Sequence, residues 1–98
     1  MSTSVNNLYD ELKTLRDWIR WGSSQFSAAK LYFGHGTENA WDEAAYLVLK
    51  ALHLPPELDK ALLPARLTTV EKQSVYELIQ QRIQTRQPAE YLTQESWF

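Results

Sequence analysis

The apolar positions of the first third of the chain repeat at helical spacing. Asp, Lys and Arg occupy most of the positions between them, so one side of such a helix is apolar and can cover a core. The pattern predicts a first helix with Asn6 or Asn7 as its N-cap. The Gly-Ser-Ser at 22–24 can bend this helix or end it before a second piece, and both alternatives stay open. The apolar positions are Leu8, Leu12, Leu15, Trp18 or Ile19, Trp21 or Gly22, and then Phe26, Ala28, Ala29 and Leu31.

Residues 34–39 contain two of the three glycines in the chain and are predicted to form a loop. Asn39 has the side chain of an N-cap, and acidic residues follow it in the positively polarised first turn of a second helix. That helix is expected to end near His53-Leu54, because two prolines follow and cannot continue it. Its apolar side carries Trp41, Ala44, Ala45, Val48 and Leu52, with Leu49 beside them, and Trp41 and Tyr46 are expected in the core.

The second half of the chain predicts one short and one long helix. Residues 55–63 can form the short helix, which Pro64 closes. The long helix opens with a capping box, in which Thr68 and Glu71 satisfy each other's exposed backbone N–H groups. Apolar positions continue at helical spacing, and the helix is predicted to stop by Gln87, ahead of a proline.

These segments together predict an all-α fold, a small bundle of about four to five helices with short connections, ending in an extended C-terminal tail. The helical domain is assigned to residues 1–87, and the tail to residues 88–98. A chain of 98 residues provides one hydrophobic core. No internal repeat, low-complexity tract or linker divides it.

Composition and charge narrow the classes of function. There is no cysteine, so a disulfide framework and a thiolate metal site are both excluded. Ten Lys and Arg against 12 Asp and Glu give a net charge of −2, which does not favour nucleic acid as the leading partner. The N-terminus lacks the pattern of a signal peptide, and no apolar run approaches the length of a membrane span. A cytoplasmic protein without a membrane partner is expected.

No set of residues predicts catalysis, cofactor binding or metal binding within the chain. The only histidines are His35 and His53, whereas a zinc site needs three or four convergent ligands. Asp42 and Glu43 are adjacent and point in different directions on a helix, so they form no acid–base pair. No Gly-x-Ser-x-Gly sequence presents a serine nucleophile. We therefore expect the chain to act by binding.

Two groups of side chains are candidates for a partner surface. Lys13, Arg16 and Arg20 lie on one stripe of the first helix, and Arg82 and Arg86 lie one turn apart on the last. They could dock against rRNA or an acidic protein surface, although a solvated helix face is the preferred interpretation. His35, between two glycines, could be a functional loop residue, although an ordinary polar loop is preferred.

Aromatic residues are more numerous than one core of this size needs, and such a surplus often marks an interface. Tyr32 and Phe33 precede the predicted loop and are partner-surface candidates. Tyr91, Trp97 and Phe98 lie beyond the last helix and are candidates for an interface covered by another domain.

Three segments together resemble a known family. They are Leu-Tyr-Phe-Gly-His-Gly-Thr-Glu-Asn-Ala-Trp-Asp-Glu-Ala at 31–44, Ala-Arg-Leu-Thr at 65–68 before Glu71-Lys72, and Pro-Ala-Glu-Tyr-Leu-Thr at 88–93 with Trp97-Phe98. They resemble the N-terminal region of bacterial N5-glutamine methyltransferases of the HemK type. The first segment is similar to the branch that methylates large-subunit ribosomal protein L-three. Gln94 departs from the glycine that many relatives have there.

The resemblance implies a parent of two domains. A helical N-terminal domain helps to select a ribosomal protein substrate, and a Rossmann-like domain binds S-adenosylmethionine and holds the substrate glutamine with an Asn-Pro-Pro-Tyr motif. That motif is not in this chain, whose only Pro-Pro is at 55–56, so no catalytic residue is carried over. Residues 88–98 would be the junction to the chain's own C-terminal catalytic domain, where the sequence is expected to have been cut.

Two functions follow as hypotheses. The first is a substrate-recognition domain of a protein-glutamine methyltransferase that supplies proximity rather than chemistry. The second is a free-standing helical adaptor or regulator, and in either case a dimer could form through exposed aromatic residues. A small hydrolase or metal enzyme comes third, because no nucleophile, base and ligand set is present.

Overall fold

The computed structural model of the protein describes residues 5–33, 39–57 and 59–87. The all-α prediction is confirmed over these residues, which contain no β-strand and only one isolated antiparallel bridge, between Thr14 and Arg66. The predicted C-terminal tail, residues 88–98, lies outside the described residues. The elements are α1 (Val5–Glu11), α2 (Leu15–Ala28), α3 (Ala40–Ala51), a 3-10 helix (Lys60–Leu62) and α4 (Thr69–Thr85).

The first helical segment is split, but not where the glycine suggested. The break falls between α1 and α2, where Thr14 and Asp17 form a capping box: the Asp17 N–H donates to Thr14 Oγ1 at 3.1 Å, and the Thr14 N–H donates to Asp17 Oδ2 at 3.0 Å. This reciprocal pair starts a new helix although the apolar spacing continues across it. Because α1 begins at Val5, Asn6 and Asn7 lie within it, and the prediction that they cap it is wrong.

Gly22 lies inside α2, and packing explains why the helix continues through it. A Cβ atom at this position would lie 3.0 Å from Ile79 Cδ1 and 3.3 Å from Ala44 Cβ. The absence of a side chain lets α3 and α4 approach the α2 backbone closely. The glycine is therefore a packing residue rather than a helix breaker.

Replacing Gly22 with valine is expected to lower the free energy of unfolding by about 2 kcal/mol, because overpacking of a filled core costs about 1–3 kcal/mol. Ser24→Val is the matched control, since Ser24 is exposed on the same helix and the change there is expected to stay within about 0.5 kcal/mol. Urea unfolding followed by circular dichroism measures both. Equal stability of the two variants would contradict the close-packing account.

The helices α2 and α4 run in the same direction, with their starts held together by backbone hydrogen bonds. The Leu15 N–H donates to the Ala65 carbonyl at 2.8 Å, and the Leu67 N–H donates to the Lys13 carbonyl at 2.9 Å. Helix α3 packs against both, and it runs in the opposite direction because Glu43 in its first turn meets Arg82 near the end of α4. The bundle therefore has one end formed by the starts of α2 and α4 and another formed by their last turns and the start of α3.

The core combines aliphatic side chains from α2, α3 and α4 with an aromatic cluster at the α1 side. Trp18 is fully buried, and the ring of Tyr9 on α1 lies 6.0 Å from it between centroids. Trp21 stacks on Tyr76 of α4 at 5.9 Å, so the cluster joins three helices. The largest fully buried aliphatic and phenylalanine side chains among the described residues are Leu15, Phe26, Leu47, Val48, Val75 and Ile79.

Two predictions need correction, one about the core and one about the short helix. Trp41 was expected in the core, but 42% of its surface is exposed, because it lies on the outer side of the first turn of α3. Tyr46 is half-buried against the core. The helix predicted over 55–63 is reduced to the three residues 60–62, since the Asp59 side chain caps a 3-10 turn there by accepting from the Ala61 N–H at 3.0 Å.

The ends of the later helices agree with the sequence. Asn39 caps α3 by accepting the Asp42 N–H at 2.8 Å, and the Thr68–Glu71 capping box opens α4. Helix α3 stops at Ala51, and His53 follows in the left-handed region, just ahead of the two prolines. Among the described residues, none of the helices has the length and apolar character that crossing a membrane requires.

Candidate functional site

The candidate site begins where α2 ends. Lys30 adopts a φ of 57°, and two hydrogen bonds close the turn: the Lys30 N–H donates to the Ser27 carbonyl at 3.1 Å, and the Leu31 N–H donates to the Phe26 carbonyl at 3.4 Å. This is a Schellman ending, with the buried Leu31 as its apolar contact. The chain leaves α2 in a fixed direction toward Tyr32 and Phe33.

Two arginines of α4 hold the backbone of this exit. Arg86 Nη2 donates to the carbonyls of Ala29 at 2.9 Å and of Lys30 at 3.1 Å. Arg82 Nη2 donates to the Tyr32 carbonyl at 2.7 Å. The last carbonyls of a helix lack intrahelical partners and carry partial negative charge, so cationic donors stabilise them. Arg86 therefore acts as a side-chain cap for α2, and Arg82 holds the backbone that follows the helix.

A buried ion pair ties the same exit to the start of α3. Arg82 Nε donates to Glu43 Oε2, and only 2% of Arg82 and 3% of Glu43 is exposed. Removing two charges from water is costly, so a buried pair is weak evidence for stability and is often kept because it specifies one arrangement. The arrangement specified here places the Tyr32 carbonyl, the first turn of α3 and the last turns of α4 around one guanidinium. The Nη1 atom of Arg82 is buried and has no hydrogen-bond partner among the described residues.

Tyr32 combines a fixed backbone with a free side chain. Its carbonyl is bound by Arg82, yet 96% of its surface is exposed, the largest value among the exposed large hydrophobic residues in the described part of the chain. Phe33 next to it is half-buried and packs against the core. An aromatic side chain on a rigid backbone can enter a partner's pocket at little cost in backbone ordering. We take Tyr32 and its arginine support, Arg82 and Arg86, as the candidate site.

The structure separates the cationic residues that the sequence grouped together. Arg16 and Arg20 are exposed on α2, as a partner surface requires. The prediction that Arg82 is an exposed contact is wrong, because its position on α4 turns it toward the core and Glu43. Arg86 is exposed, but its guanidinium is bound to the α2 carbonyls. The predicted residues outside the described part of the chain are His35, Tyr91, Trp97 and Phe98.

Sequence reasoning missed Glu43 as a structural partner. Helical spacing gave a signal, since Glu43 shares a helix side with Ala40 and Leu47, which are both buried. Within the described ranges, no cluster of three His, Cys, Asp or Glu side chains could hold a metal ion. What the site offers is an aromatic contact on a supported backbone.

Comparison with known proteins finds relatives from several bacteria that carry the same name. The chain is 51% identical over 92 residues to the ribosomal protein uL3 glutamine methyltransferase of Bordetella pertussis, covering 94% of this chain and 31% of that protein. It is 53% identical over 89 residues to the proteins of the same name from Xylella fastidiosa and Xanthomonas campestris pv. campestris, covering 91% of this chain and 28% and 29% of those proteins.

The chain therefore spans about 30% of the length of the curated relatives that it matches, and it corresponds to their N-terminal domain. No family model and no solved structure matches it. The resemblance to the N-terminal region of the uL3-type enzymes, stated above from three sequence segments, is confirmed.

Proposed function

We propose that this chain is the substrate-recognition domain of an S-adenosylmethionine-dependent protein-glutamine methyltransferase that modifies ribosomal protein uL3. The observation that carries the proposal is the identity of 51–53% to the N-terminal domain of relatives with that name. On this proposal the methyl donor and the reacting groups belong to the remaining two thirds of the parent protein. Residues 88–98 form the junction to it, and the protein works in the cytoplasm.

The contribution of the domain is to position its partner. Holding a substrate protein against the enzyme converts a bimolecular encounter into a step with a high effective concentration of the target glutamine. This requires a rigid surface at a fixed distance from the catalytic domain. The buried Glu43–Arg82 pair and the Arg86 cap supply such rigidity at the end of the bundle that carries Tyr32.

Tyr32 is the contact that we assign to the substrate protein. Exposed tyrosines are frequent centres of binding energy, because the ring contributes a large contact area with little loss of side-chain entropy. The arginines beside it are bound to carbonyls and to Glu43, so they are not available for phosphate groups. A protein surface therefore suits this end of the bundle better than nucleic acid does.

Binding of purified uL3 to residues 1–98, measured by isothermal titration calorimetry, tests the proposal. Tyr32→Ala is expected to weaken binding by about tenfold or more, the effect of removing a central aromatic contact. Val70→Ala is the matched control, because Val70 is 72% exposed at the opposite end of the bundle, and its affinity should stay within about twofold.

The same question can be asked of the full-length enzyme by deleting residues 1–87. A raised KM for uL3 with an unchanged affinity for S-adenosylmethionine is the expected result. Absence of uL3 binding to the isolated chain, together with an unchanged KM after deletion, would overturn the proposal.

A further inference from the structure

A groove with positively charged walls lies at the end of the bundle opposite Tyr32. Its volume is about 410 Å³. Three of the six residues that line it are cations and one is acidic: Tyr9, Asp10, Lys13, Arg66, Leu67 and Lys72. Lys13 belongs to the cationic stripe that the sequence singled out, whereas Arg66 and Lys72 do not. The groove is separate from the candidate site described above.

Two distant segments bring these cations together. The antiparallel bridge pairs Thr14 with Arg66, and the Leu67 N–H donates to the Lys13 carbonyl at 2.9 Å. Lys13 and Arg66 are both exposed, and they lie on facing segments. Lys72 comes from the first turn of α4. Its Nζ atom donates to the Tyr9 carbonyl at 2.6 Å, and this hydrogen bond fixes the ammonium group in the lining of the groove.

Two carboxylates nearby are turned toward backbone N–H groups. Asp17 Oδ2 accepts from the N–H groups of Lys13 and Thr14, each at 3.0 Å, and these hydrogen bonds lower the pKa of Asp17 below its usual value. Glu71 Oε1 accepts from the Thr68 N–H at 2.8 Å. These oxygens bind the caps of α2 and α4, so Asp10 is the acidic side chain that lines the groove.

The groove offers charge but little apolar surface. Leu67 is buried, and the Tyr9 ring already contacts Trp18 and Tyr76, at 6.0 Å and 6.3 Å between centroids. An acidic peptide would need an apolar or aromatic pocket to bind tightly, because exposed ion pairs alone contribute little. A phosphodiester backbone needs only correctly placed cations, since release of its condensed counterions drives binding.

We propose that this groove binds the phosphate backbone of RNA, so that the domain contacts RNA at one end and the substrate protein at the other. The inference rests on the proposed function, because a ribosomal protein substrate can be met while it is bound to rRNA. Recognition is of phosphates and not of bases. RNA binding is therefore insensitive to sequence and sensitive to salt.

Fluorescence anisotropy of a labelled single-stranded RNA of about 20 nucleotides tests this with the chain alone. Three phosphate contacts predict that the logarithm of the binding constant falls against the logarithm of the salt concentration with a slope of about −2. Lys13→Glu with Arg66→Glu is expected to weaken binding by about 30-fold at about 50 mM KCl. Lys50→Glu with Lys60→Glu makes the same charge change at exposed positions that do not line the groove, and should cost less than about threefold.

Equal losses in the two double variants would overturn the groove as the site, since only net charge would then matter. Absence of RNA binding at low salt would also overturn it, as would displacement of the RNA by polyglutamate at equal charge concentration. Titration with uL3 in the absence of RNA tests the proposed function separately. In that titration, Lys13→Glu with Arg66→Glu should leave the affinity for uL3 unchanged. Circular dichroism confirms that each variant is folded.

Discussion

Arg82→Met is expected to lower the free energy of unfolding by about 3–5 kcal/mol, the range found when one member of a buried ion pair is removed. The substitution keeps most of the side-chain volume but leaves the Glu43 carboxylate buried without the guanidinium. It also removes the hydrogen bond to the Tyr32 carbonyl. Urea unfolding followed by circular dichroism measures the loss.

Arg86→Met is the matched control on the same helix. Arg86 is exposed and donates two hydrogen bonds to the carbonyls at the end of α2, so its loss is expected to cost about 1 kcal/mol. A loss for Arg82→Met no larger than that for Arg86→Met would show that the buried pair contributes nothing beyond ordinary capping.

The double variant Glu43→Leu with Arg82→Met separates charge burial from specificity. With both charges gone, most of the stability is expected to return, because apolar replacements of buried ion pairs are often neutral or stabilising. The Tyr32 carbonyl still lacks its donor in this variant. We therefore expect a stable domain with weakened uL3 binding, which a purely stabilising role of the pair would not produce.

The parts of the fold that depend on neighbouring residues could be predicted from the sequence. Asn39 and Thr68 cap α3 and α4 through side chains three residues or fewer from their partners, so the signal is local. The break before α2 has an equally local cause, the Thr14–Asp17 capping box, but the apolar spacing runs through it and favoured one continuous helix. Gly22 was misleading because the glycine is there to allow close contact with Ile79, which lies far along the chain.

The candidate sites were harder to predict from the sequence, because their residues also meet partners far along the chain. Helical spacing places Arg82 on the side of α4 that carries Val75 and Ile79, but an arginine on an apolar side is buried only if a carboxylate meets it. That carboxylate, Glu43, lies 39 residues away. The groove likewise depends on the pairing of Lys13 with residues 66–67, which no pattern within either segment encodes.

Trp18→Ala is the second substitution with a large expected effect, a loss of about 3–5 kcal/mol in the free energy of unfolding, as found for large aromatic residues truncated in a core. Trp18 is fully buried, and its ring lies 6.0 Å from that of Tyr9 and 5.6 Å from that of Trp21. Its Nε1–H donates to the Leu12 carbonyl at 2.9 Å, in the connection between α1 and α2. The variant therefore loses core volume and the tie to α1 together.

Two controls separate these contributions. Trp41→Ala removes the same side chain from a position that is 42% exposed, and a loss of about 1 kcal/mol or less is expected. Trp18→Phe keeps a ring in the core but cannot donate to Leu12, so amide hydrogen exchange should quicken in α1 more than in α3. Because α1 contributes Tyr9 to the groove, the same variant should also weaken RNA binding. The exposure of Tyr32 and the affinity for uL3 should stay unchanged. An equal increase of the exchange rate in all helices would contradict a specific tie between Trp18 and α1.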